Sequence, residues 1–176
     1  MTLDHFTHAF RLVLAVVSLL FIAACSNEPE TGPGEVRWDR ETCERCVMTV
    51  SDPNFSAQIR GGPAGEKQEL IKFDDLGCAV LWLDQQSWKN NPEIEIWVNQ
   101  YQTGDWIDAK QAYYVKNQLT PMNYGLGAQV EASPGAMNFT EARAHIYKIE
   151  KELNLHGGAT HLTPPLAPKT STKTTQ

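Results

Sequence analysis

The 176-residue chain holds only four cysteines and five histidines, and it has no cluster of lysine and arginine. Without a basic patch beside stacking aromatics, nucleic acid is not an expected partner. The histidines at 145, 156 and 161 show no paired spacing, so each reads as a solvated or capping residue before it reads as a ligand. No apolar run reaches the roughly 20 residues that a bilayer span requires. No strict internal repeat is visible, although an order of strands followed by a helix occurs twice, near 46–88 and 93–154. What remains is a moderately acidic chain of net charge −6, 41% apolar, suited to one domain with appendages.

The longest apolar run, Leu12 to Ala24, follows Arg11 and is 13 residues long. That length fits the central region of a secretory signal. It ends in Ile22-Ala23-Ala24-Cys25, which resembles the bacterial lipobox, whose cysteine is acylated and becomes the new N-terminus. Residues 1–24 are therefore expected as a lipoprotein signal peptide and Cys25 as the lipidation site. Ser26, in place of an aspartate, is similar to the pattern of lipoproteins sorted to the outer membrane. Multiple acyl chains give a stable anchor, because each buried methylene contributes about 0.8 kcal/mol. The compartment is then periplasmic and oxidising. Residues 25–39, rich in Pro, Gly and polar side chains, read as a flexible tether, and 159–176, rich in Thr, Pro and Lys, as a disordered tail. The domain is expected over 40–158.

Within that domain the pattern predicts a strand over Cys46–Val50 and a turn at Asp52-Pro53. A second strand follows in "NFSAQIR", where Phe55, Ala57 and Ile59 alternate. "ELIKF" leads into Asp74-Asp75, either of which can cap a helix through "LGCAVLWLDQQSW". That helix is apolar on two sides and belongs between the sheet and another layer. "EIEIWVN" is the next strand, with Ile94, Ile96 and Val98 on one face. Asn138 and Glu141 form a capping box ahead of a helix whose stripe is Ala142, Ile146, Ile149 and Leu153, with Gly157-Gly158 as its stop. The expected class is α+β, with two ββα-type halves, small mixed or antiparallel sheets and two main helices.

Chemistry concentrates in "CERCVM". On a strand, Cys46 and Met48 share a side, and Cys43 folds over through a turn at Glu44-Arg45, so three sulfurs converge. Thiolate and thioether are soft donors that suit Cu(I), whereas Zn(II) usually takes four Cys, His or carboxylate ligands. Two plainer readings stand beside this one: a Cys43–Cys46 disulfide and Met48 as a gap-filling core residue. Cys78 reads first as a buried structural cysteine. Met122, in a Pro/Gly loop, is a further candidate ligand, ahead of Met137. Trp106 in "TGDWIDA" is expected to pack inward from a tight turn.

Taken in order, the lipobox at Cys25, "CERCVM", "FDDLGC", "TGDWIDAKQAYYV" and "TPMNYGLGA" resemble the NosL family, accessory lipoproteins of nitrous oxide reductase. The resemblance spans roughly residues 22–142. It implies a Cu(I) chaperone that supplies copper for the tetranuclear cluster of the reductase, working beside a membrane assembly machine. It implies a two-part α+β fold similar to that of the organomercurial lyase. It places copper ligands at Cys43, Cys46 and Met48, with Met122 matching the family's "TPM" loop, and leaves open whether a histidine or Cys78 contributes. Many members carry glycine just before the motif methionine. Here Val47 stands there, and valine is expected to keep this backbone extended. Two rivals remain: a thiol–disulfide oxidoreductase using Cys43 and Cys46, and an interaction lipoprotein with a structural disulfide.

Overall fold

The computed structural model describes residues 29–156, with side chains as far as Glu152. The expected signal peptide, the lipidation site Cys25, the Gly157-Gly158 stop, His161, the tail, and the side chains of Leu153 and His156 lie outside the described residues.

The α+β class is as expected: the described residues form two helices and two small antiparallel sheets. Strands β1 (Ala57–Gly61), β2 (Glu69–Phe73), β3 (Glu95–Asn99) and β4 (Trp106–Asp108) form one sheet in the order β2-β1-β3-β4. Strands β5 (Tyr113–Val115) and β6 (Gly127–Gln129) form the second. Helix α1 (Leu76–Leu83) follows β2 and helix α2 (Phe139–His156) follows β6, so strands precede a helix twice. No helix among the described residues is long and apolar enough to cross a membrane.

Strand β1 is buried along its whole length because both faces are covered. Ala57 and Ile59 join the apolar core with Leu76, Ala79 and Val80 of α1. The opposite face meets residues 32–34. There Gln58 exchanges two hydrogen bonds with the backbone of Gly34, at 2.8 and 3.0 Å, and the Arg60 Nε donates to the Gly32 carbonyl at 3.0 Å. Gly32 N–H also donates to Glu95, and Lys72 donates to the Glu35 carbonyl. The chain is thus docked from Gly32 onward, where a tether to residue 39 was expected. Composition suggested flexibility, but the backbone groups of these residues are bonded to the sheet.

Helix α1 starts where its sequence places it. Asp75 is the N-cap, with an extended backbone and a carboxylate that accepts from Gly77 N–H at 2.9 Å. Leu76 through Leu81 are all buried, and the helix contacts β1, β2 and α2, as its two-sided apolar pattern required. It ends at Leu83, earlier than the "LDQQSW" extension, which forms turns instead. Helix α2 opens on the reciprocal capping box: Asn138 N–H donates to Glu141 and Glu141 N–H donates to Asn138, at 2.9 and 3.0 Å. Ala142 and Ile146 are fully buried and Ile149 packs on the core. Trp106 is on β4 and packs against the core after the turn at Gly104.

Candidate metal centre

Residues 39–50 form a narrow hairpin-like excursion rather than a strand. Val50 N–H donates to Glu41 O and Cys43 N–H donates to Met48 O, at 2.9 and 2.8 Å, around an isolated bridge between Thr42 and Thr49. The tip closes where Val47 N–H donates to Cys43 O at 3.0 Å. Val47 makes this possible with a φ of +62°. The expected extended backbone at Val47, and with it the strand over Cys46–Val50, is therefore incorrect. Closing so tight a loop requires one left-handed residue, and the hydrogen bonds that close it override the reluctance of a β-branched side chain. A glycine at this place would adopt the same backbone without strain.

One further bond locates the hairpin. Glu44 N–H donates to Lys72 O, near the end of β2, at 3.1 Å. Because β2 runs into Asp74, Asp75 and α1, the cysteine pair is held against the first turn of α1, where Cys78 stands. The sulfurs of Cys43, Cys46 and Cys78 all lie within 4.8 Å of one another. All three are free thiols. Cys78, read first as a structural cysteine, is indeed buried, but it is a member of the cluster.

The three thiols are not equivalent. Cys43 is held down to about pKa 5, first because the Cys78 thiol donates to its sulfur. Burial opposes this, and the N–H groups of Cys46 and Asp74 and the Cys46 thiol add further donors. The Cys78 pKa is pushed up, because its proton is engaged with Cys43 and because the group is buried. The Cys46 pKa is raised by burial, despite a hydrogen bond from Met48 N–H. The three thiols titrate together, and the hydrogen bonds that converge on Cys43 favour the thiolate there.

Of the expected ligands, Cys43 and Cys46 come together. Met48 touches the site through its backbone, and its side chain is 51% exposed. Met122 packs against the core, and its N–H donates to the Asp75 carboxylate at 3.3 Å, which ties the "TPM" loop to the cap of the helix that bears Cys78. Asp75 is pushed up to about pKa 6 by burial, against hydrogen bonds from Thr120, Gly77 and Met122. His145 is engaged with the Tyr124 carbonyl at 3.1 Å. Three residues to which the sequence reading gave no site role, Arg45, Tyr124 and Glu150, brace the hairpin. Arg45 donates to Glu150 at 2.6 Å and to the Tyr124 hydroxyl at 3.3 Å, and that hydroxyl donates to Glu150 at 2.6 Å. The pairing of Arg45 with a glutamate of α2 had no local sequence signal, since 105 positions separate them.

The arrangement fits a soft cation. A metal about 2.3 Å from each of three thiolates needs sulfurs roughly 4 Å apart. The observed spacing, within 4.8 Å, is close to that. The cluster contains no imidazole or carboxylate, so it offers sulfur alone. No model of a known protein family matches the chain, and no curated protein matches it.

Proposed function

We propose that the protein is a lipid-anchored, periplasm-facing carrier of Cu(I) that delivers copper for assembly of the copper cluster of nitrous oxide reductase. The observation that carries the metal half of this reading is the convergence of Cys43, Cys46 and Cys78. Three sulfurs satisfy Cu(I), which accepts low coordination numbers and prefers soft donors. Zn(II) would want a fourth ligand. The recipient, the lipid anchor at Cys25 and the outer-membrane address rest on the resemblance to NosL proteins. Met48, whose carbonyl accepts from Cys43 N–H, and Met122, whose N–H donates to the Asp75 cap of the helix that bears Cys78, stand as additional thioether donors in this reading.

The rival reading, a thiol–disulfide oxidoreductase, meets a physical obstacle. An attacking cysteine must be both ionised and reachable. Cys43 is ionised but only 1% exposed. Cys46 is reachable but holds its proton. Neither thiol has both properties, whereas a carrier can divide them: the incoming metal displaces the protons of its ligating thiols, and one reachable sulfur is enough for entry.

The test is competition for Cu(I) between the reduced protein and bicinchoninate. One copper per chain should be withdrawn from the chelator, and Cys43→Ser should abolish the withdrawal. A protein that leaves all the copper with the chelator refutes the reading. Cys25→Ser should shift the protein from the membrane to the soluble periplasmic fraction; unchanged fractionation refutes the anchor.

A further inference from the structure

The three thiols differ in how they meet solvent. Cys43 is 1% exposed and Cys78 is 0% exposed, while Cys46 is partly exposed. They differ equally in what holds them. Cys78 sits in the first turn of α1, which is buried along nearly its whole length. Cys43 closes the hairpin through both its N–H and its carbonyl. Cys46 stands at the tip, between Arg45 and the left-handed Val47.

We infer that Cys46 is the exchanging ligand: metal enters and leaves the cluster through it, while Cys43 and Cys78 form the retaining pair. This rests on the carrier reading and adds the order of events. A soft donor of the recipient, thiolate or thioether, approaches on the exposed side. The metal–Cys46 bond breaks as the metal–donor bond forms. No electron is transferred, and Cys46 departs as a thiolate that takes a proton from water. Cys43 and Cys78 hold the metal until a second donor arrives, so the ion is never free. The lip of the exchange face is apolar, with Val47 75% and Met48 51% exposed. The recipient that fits presents soft donors inside an apolar rim, which also keeps water from the ion during transfer.

The test uses the full reduced chain loaded with Cu(I), pulsed with N-ethylmaleimide, and read by native mass spectrometry with peptide mapping. Maleimide attacks a thiolate that it can reach; Cys46 becomes one each time it leaves the metal, while Cys43 and Cys78 stay buried, so among the three thiols Cys46 should be modified at least about tenfold faster than Cys43 or Cys78. Chains modified once, at Cys46, should still carry copper. In a second arm, Cys46→Ser should still load with copper and release it to bicinchoninate at least about tenfold faster, because one coordination position is already open. First modification at Cys43 or Cys78, systematic loss of copper from chains modified at Cys46, or an unchanged release rate in Cys46→Ser overturns the inference while leaving the carrier reading intact. Absence of copper from the untreated chain overturns both.

Discussion

Replacing Val47 with glycine should stabilise the protein, although the same change at an ordinary exposed position destabilises it. At +62° the valine Cβ is crowded by its own backbone. A β-branched residue held in the left-handed region costs about 2 kcal/mol. Glycine relieves that cost but adds about 0.7 kcal/mol of unfolded-state entropy. The side chain is 75% exposed, so its loss forfeits no more than about 0.5 kcal/mol of burial. The balance is a gain of about 1 kcal/mol, against a loss of similar size at a residue with ordinary dihedrals. Urea unfolding of the reduced, metal-free protein measures it. Val47→Ala is the control: it keeps the Cβ and should stay within about 0.5 kcal/mol of the parent. A glycine variant less stable than the alanine variant would refute the left-handed assignment, and with it the hairpin that brings Cys43 and Cys46 to α1.

Gly77→Ala should be damaging, because an added Cβ would lie 2.1 to 2.4 Å from ring atoms of the buried Tyr124, and displacing that ring costs about 3 kcal/mol; thermal unfolding reads the loss. Cys78→Ser should weaken Cu(I) retention in the bicinchoninate competition more than Met48→Ala does, since Cys78 lies in the cluster and the Met48 side chain is half exposed. Asp75 makes a pH prediction with a definite sign. Its folded pKa, about 6, lies above the ordinary aspartate value of 3.8, so the native state binds the extra proton and stability falls as pH rises from about 4 to 6. The ionisation penalty is about 3 kcal/mol, fully present above pH 6 and relieved below 4. Asp75→Asn keeps the cap on Gly77 and should flatten this part of the urea-midpoint profile; an unchanged slope would refute the assignment. Glu150→Gln should loosen the Arg45 brace and accelerate maleimide modification of Cys46, with peptide mapping as the readout.

Much of the frame was legible because one periodicity dominates each segment. Ile94, Ile96 and Val98 alternate and are buried together. The Asn138–Glu141 box and the Asp75 cap could be read because each is a local interaction within a few residues. The cysteine pair was legible from spacing. Cys78 was not, since a single cysteine on an apolar helix looks the same whether it packs or ligates. What could have pointed to it is its place one short step beyond β2, next to which the hairpin docks. The left-handed Val47 was hidden for the opposite reason: its residue type argues against the conformation, and only the closing bonds from Cys43 demand it. Residues 32–36 looked like linker because composition is blind to backbone hydrogen bonds.

The docking of Gly32 onto Glu95 and Arg60 also shortens the leash. With a lipid on Cys25, only seven peptide steps lead from the anchor to Gly32, a reach of about 25 Å even when fully drawn out. If the protein is the anchored carrier proposed above, so short a mooring keeps it from roaming the periplasm, and whatever receives its ion must come to the membrane face to collect it.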